Sequence, residues 1–169
     1  MRKNNSDFLK SCMADAVYEL IKNKPIEKIS VTEITEKAGV GRATWFRNFS
    51  SKQDAISYKI ISLWYKWCDE HKIAKEQRYT LDNALDFFNF SLDNKEIYIT
   101  LYKSNLQSTI YNAFYNVIVQ QQRNTPYEYY RSRFLSYGVY GVVDEWVKRG
   151  FKESPDELAS ILNQTVKPN

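Results

Sequence analysis

The stretch from Ile29 to Ile56, ISVTEITEKAGVGRATWFRNFSSKQDAI, leaves the backbone few choices. Ser30-Val31-Thr32-Glu33 is an S-x-x-E capping box. The serine and the glutamate satisfy each other's unpaired backbone donors, so a helix begins at Val31. Val31, Ile34 and Ala38 then recur at i, i+3 and i+7 as one apolar stripe. Gly39 ends that helix, because the residue past a helix end often takes a positive φ. Gly41 opens the next helix, whose inner face is Trp45 and Phe49. Its other faces carry Arg42, Thr44, Phe46, Arg47 and Asn48. Ser51-Lys52-Gln53-Asp54 repeats the serine-to-acid start and opens a third helix. Two short helices joined by a tight glycine turn make a helix-turn-helix. The outer side chains of its second helix suit base edges and phosphates.

The rest of the chain also reads as helix. No strand-like alternation is present, and five glycines and four prolines punctuate 169 residues. Phe8, Cys12, Ala16 and Leu20 set a first helix over about 7–23, closed by Pro25. From Ala55 to Cys68 apolar residues point almost all round, which predicts a helix buried on several sides and linking head to body. Further helices are expected at about 80–92, with Leu81, Leu85 and Phe88, at about 95–103, and at about 106–122, with Ile118 near its end. Thr125-Pro126-Tyr127-Glu128 joins a capping box to a proline at the first helical position and starts a long helix. That helix is expected to run to Arg149, with Gly150 as its stop. Ser154-Pro155-Asp156-Glu157 repeats the device and opens a last helix. The expected class is therefore all-α, about nine helices: a three-helix head over residues 1–52 and a helical regulatory and dimerisation body over 53–169.

Charge separates the same two parts. Residues 1–52 hold ten Lys and Arg against six Asp and Glu, while residues 53–169 hold fourteen of each. The whole formal +4 thus sits with the helix-turn-helix, which points to a polyanion as the head's partner. Hydrophobic residues make up 43% of the chain, enough for a packed core. No run of about 18 apolar residues marks a membrane span, and the first residues hold no apolar leader core, so a cytoplasmic protein is expected. Cys12 and Cys68 match no metal or redox spacing and read as reduced core thiols. His71 is the one histidine and reads as a solvated helix residue, so no metal is expected. Asp82 and Asp86, one turn apart, read as a solvated face. No nucleophile elbow, paired acid and base or phosphate-cradling glycine loop is present, which argues against an enzyme, and no cofactor is expected.

With head, linking helix and helical body laid out, the chain resembles the TetR family of bacterial transcription factors. Those proteins commonly carry T-V-x-x-I-A-x-x-A-G-V-S-x-G-T-L-Y-x-Y-F-x-x-K-E-x-L. Here the motif stands as Ser30-Val31-x-x-Ile34-Thr35-x-x-Ala38-Gly39-Val40-Gly41-x-Ala43-Thr44-Trp45-Phe46-x-Asn48-Phe49-x-x-Lys52-Gln53-x-Ala55. The ending, YGVYGVVDEWVKRGFKESPDELASIL, is similar to the last two helices of one subgroup of that family. The resemblance implies a homodimer closed by those two helices, a palindromic double-stranded DNA operator, and a repressor whose body binds a small molecule and then releases DNA. Carried over position by position, Ser30, Phe46 and Lys52 would touch phosphates. Thr32, Arg42, Ala43, Thr44 and Asn48 would lie at or near base edges, and Arg47 joins them as a further DNA contact. Three positions depart from the family: Phe46 lacks the usual tyrosine hydroxyl, Gly41 stands for the usual serine, and Trp45 for the usual leucine.

Two further sites follow. Gly138 and Gly141 lie on one face of the long helix, where bare backbone allows close approach. Tyr137, Gly138, Gly141 and Val142, with Leu158, Ile161 and Leu162, are therefore expected to bury a homodimer contact. Trp64, Phe88, Tyr102 and Phe114 exceed what a small core needs and are expected to line a pocket for a small apolar or aromatic effector. The same aromatics at helical spacing also suit plain core packing. A second functional reading stands beside the repressor: a coactivator or adaptor that keeps the fold, has weakened DNA binding, and acts through protein contacts.

Overall fold

The computed structural model describes residues 2–78, 83–119 and 125–166. Among them every regular element is helical. In chain order they are α1 (Arg2–Ile21), α2 (Val31–Ala38), α3 (Arg42–Asn48), α4 (Lys52–Glu70), α5 (Ala84–Asp93), α6 (Lys95–Lys103), α7 (Ser108–Val119), α8 (Pro126–Lys148) and α9 (Pro155–Val166). Short 3-10 turns stand at Ile26–Lys28 and Lys75–Gln77.

The expected punctuation is made by the atoms expected to make it. Ser30 accepts from the Glu33 amide at 3.2 Å, and Glu33 accepts from the Ser30 amide at 2.9 Å. Thr125 and Glu128 form the same reciprocal box ahead of α8, and Ser154 and Glu157 do so ahead of α9. Ser51 accepts from the Asp54 amide at 3.0 Å. Gly39 and Gly150 close α2 and α8 at φ of +66° and +73°, a region that glycine enters without steric penalty.

Boundaries differ at a few places. The first helix spans Arg2–Ile21 rather than about 7–23, because the amides of Asn23 and Lys24 fold back to the Leu20 carbonyl before Pro25. The long α8 stops at Lys148. The helix expected from about 80 is described only from Ala84; Leu81 and Asp82 lie outside the described residues, as do 120–122 of the helix expected to reach 122.

One buried cluster runs from head to body. Met13 and Val17 of α1, Ile34 of α2, Trp45 of α3 and Ile56 of α4 continue into Phe88, Leu101, Ile110, Val143 and Trp146. Trp146 donates its indole N–H to the Glu153 carbonyl at 3.0 Å, so its burial leaves no polar atom unpaired. Truncating such a residue to alanine costs about 3–5 kcal/mol. A smaller cluster gathers Trp64, Trp67, Cys68 and Phe90. Burial pushes the Cys68 thiol up to about 11, which fits an unreactive core thiol. Helix α4 contributes to both clusters. Its Ser57 hydroxyl also donates to the buried Thr109 carbonyl on α7, 3.0 Å away.

Candidate nucleic-acid interface

Helix α3 is held by two aromatic side chains on one side. Trp45 and Phe49 are buried, with ring centroids 5.3 Å apart, and Phe49 meets Tyr58 of α4 edge-on at 5.7 Å. The side opposite them is exposed: Arg42, Ala43, Phe46 and Arg47 face solvent. Neither arginine makes an ion pair within the described chain. Phe46 is 64% exposed. Ser30 and Thr32, at the start of α2, are exposed as well.

Three expected contacts are partly engaged within the chain. Thr44 and Asn48 are half-buried, and the Asn48 amide donates to the Thr44 carbonyl at 2.7 Å. The Lys52 ammonium donates to the carbonyls of Ile26 and Ile29, at 2.5 and 2.8 Å. It thus ties the start of α4 to the turn that leads into α2. The sequence held no sign of this, because Lys52 and Ile26 are 26 positions apart. Gly41 caps α3 at φ −78° and ψ 150°, ordinary extended backbone, with open space where a Cβ would stand. The Ser30 hydroxyl is already shared with Glu33. Lys24 pairs with Glu33, and this contact, with the Ser30 amide, pulls the carboxyl down to about 2.

The aromatic set proposed for an effector meets around a residue it omitted. Phe87 stands 5.9 Å from Trp64, 5.5 Å from Phe88 and 5.0 Å from Phe114, each edge-on. Tyr102 lies elsewhere, its hydroxyl donating to the Asp144 carboxylate of α8. A separate open cleft of about 460 Å³ lies at the seam of head and body, with Lys10, Asp54, Asn112 and Asn116 in its wall. Phe49, Tyr58 and Ile61 also line the wall, so the lining mixes polar and apolar groups.

The residues expected at a dimer contact divide. Leu158 and Leu162 turn into the subunit's own core, 5% and 4% exposed, whereas Ile161 is 47% exposed. At about 100° per residue Ile161 and Leu162 stand on opposite sides of Leu158, about 100° from each other, so the side of the helix that carries Leu162 packs inward while the side that carries Ile161 is left toward solvent. On α8, Tyr137, Gly138 and Gly141 are exposed and Val142 is half-buried. A Cβ added at either glycine would meet nothing within 4 Å. Three more aromatic residues, absent from the expected set, extend that face: Tyr127, Tyr130 and Phe134, between 71 and 79% exposed. With Tyr137 and Gly141 they recur at spacings of three and four, a signal present in the sequence.

Among the described residues no group of His, Cys, Asp and Glu is placed to hold a metal ion. His71 caps α4 instead, its Nδ1 2.8 Å from the Trp67 carbonyl and its ring stacked on Trp67. No described helix is long and apolar enough to cross a membrane.

Residues 14–55 match the family described as bacterial regulatory proteins, tetR family. Residues 80–168 match the one described as transcriptional regulator C-terminal region. No curated protein matches the chain.

Proposed function

The chain belongs to the TetR family of DNA-binding transcriptional regulators, and from that premise we propose that it is a homodimeric, ligand-responsive repressor. In this reading each α3 enters a major groove of a palindromic operator. The observation that carries it is the outer face of α3. Two arginines without an ion-pair partner among the described residues stand there on a head that carries all the net charge. Arg42 has the reach and fork geometry for a guanine edge, and Arg47 suits a phosphate. Ser30, Thr32 and Lys52 border that surface, and the Lys52 ammonium keeps one N–H beyond its two carbonyl bonds.

The dimer is supported by α8. Glycine inside a helix costs about 0.5–1 kcal/mol relative to alanine. Among the described residues nothing lies within 4 Å of where a Cβ would stand at Gly138 or Gly141, so packing within one subunit gives no reason for them. An aromatic stripe that continues the same face gives one: a second copy of the helix. The effector is supported more thinly, by the cluster around Phe87. Residues 1–52 are assigned to DNA and 53–169 to regulation and dimerisation.

The test is selection of duplexes from a random library by the full-length protein, followed by mobility shift. Enrichment of an inverted repeat whose binding falls with salt is expected. Failure to enrich any sequence would instead favour the adaptor, for which the missing Phe46 hydroxyl and the inward bonds of Lys52 and Asn48 are the supporting observations.

A further inference from the structure

The exposed face of α3 has an apolar centre and cationic edges. At about 100° per residue, its exposed positions run around the axis in the order Arg42, Phe46, Ala43, Arg47, over an arc of about 140°. Phe46 and Ala43, about 60° apart, occupy the middle. The arginines flank them, and the buried pair Trp45 and Phe49 lies behind. Thr44, placed at or near a base edge by the family resemblance, is half-buried and lies about 60° beyond Arg47. The Phe46 ring, 64% exposed, is not used by the subunit's own core.

In the seating proposed above, the middle of the exposed arc of α3 faces the floor of the major groove, with Arg42 and Arg47 on either side of it. The floor is lined by hydrogen-bonding groups, with one apolar exception, the C5-methyl of thymine. A phenyl ring and an alanine methyl have no donor or acceptor to offer that floor, so their affinity is for the exception. We infer that Phe46, with Ala43 beside it, is a specificity-determining residue that reads thymine methyl groups within each half-site. Arg42 stands on one side of this pair, within reach of a guanine edge, and Arg47 on the other, toward a phosphate. This rests on the DNA-reading function proposed above. It replaces the phosphate contact implied for position 46, which needs a hydroxyl that this chain lacks.

The experiment uses the duplex enriched by the full-length protein. Each thymine of one half-site is replaced in turn by deoxyuridine, which removes the methyl and keeps the pairing. One or two positions should each weaken binding about fourfold, the value of burying one apolar carbon. Phe46→Ala should bind the parent duplex as weakly as the unaltered protein binds the uridine duplex, and should lose no more on uridine, so that the two changes are coupled. Phe46→Leu, still apolar, should keep most of the discrimination. An unchanged unfolding temperature for Phe46→Ala, expected of an exposed ring, excludes a folding effect. The inference is overturned if the enriched half-site has no thymine, if no uridine duplex is weakened, or if Phe46→Ala remains equally sensitive to uridine. A selection that enriches nothing overturns the DNA-reading function itself, and this inference with it.

Discussion

Lys52 has one role in the fold and a second proposed on DNA, and two measurements on one substitution tell them apart. Its ammonium bonds the carbonyls of Ile26 and Ile29 and so fixes the start of α4 against the entry to α2. Lys52→Met keeps the alkyl stem and removes the charge. For a half-buried, charge-assisted contact it should destabilise the fold by about 1–2 kcal/mol, read by urea unfolding. It should also weaken every DNA sequence alike, since a phosphate carries no base identity. A uniform loss of DNA affinity at unchanged stability would leave the phosphate role alone. Glu33 supports a pH prediction. Lys24 and the Ser30 amide hold its carboxyl at about 2 against an ordinary 4.5. A group depressed in the folded state stabilises above its unfolded value and stops doing so as pH falls through its folded value. The stability gap between the unaltered protein and Glu33→Gln should therefore be full above about pH 4.5 and shrink toward about pH 2. Thermal unfolding of the pair across that window checks it, and a gap that does not change would show that the ion pair contributes nothing.

Helix α8 is where local signals and tertiary context part. Its two ends were legible: Thr125, Pro126, Glu128 and Gly150 act within one turn of the backbone they satisfy. The helix-turn-helix was legible for the same reason, since Ser30, Glu33 and Gly39 set its geometry locally. The facing of helices was less so. Leu158 and Leu162 are expected at a dimer contact but pack inward against their own body, a choice made by α5 and α8 and not by α9 itself. The pairing of Lys52 with Ile26 and the gathering of three aromatic residues around Phe87 likewise depend on segments far apart in sequence. On α8 the exposed stripe through Tyr130, Phe134, Tyr137 and Gly141 yields a prediction for the element. Gly141→Ala adds one methyl into open space in the subunit, while Gly141→Leu adds bulk where a second helix would lie. Sedimentation should find Gly141→Leu and Phe134→Glu as folded monomers at micromolar concentration. If both remain dimeric, the partner does not sit on this face.

At the scale of the whole molecule the asymmetry of charge sets how the proposed dimer should respond to salt. Arg47 and Lys52 give each head two cations for phosphates, Arg42 being assigned to a base edge, and the body adds no net charge to oppose or assist them. Two heads on one operator would neutralise about four phosphates, for a slope of about −4 in the logarithm of the binding constant against the logarithm of salt. The heads are joined to the α8 surface through one continuous core, in which Ile34 and Trp45 of the head share a cluster with Val143 and Trp146 of the body. Phe134 lies outside that core, 71% exposed. Phe134→Glu should therefore leave each head folded while removing its fellow from the same duplex. The salt slope should fall to about half, affinity should drop, and a single half-site should bind as well as the full inverted repeat. A halved slope without monomer formation would mean that one head has been lost for another reason. An unchanged slope in a proven monomer would mean that each head always binds alone, and the palindromic operator would have to be given up.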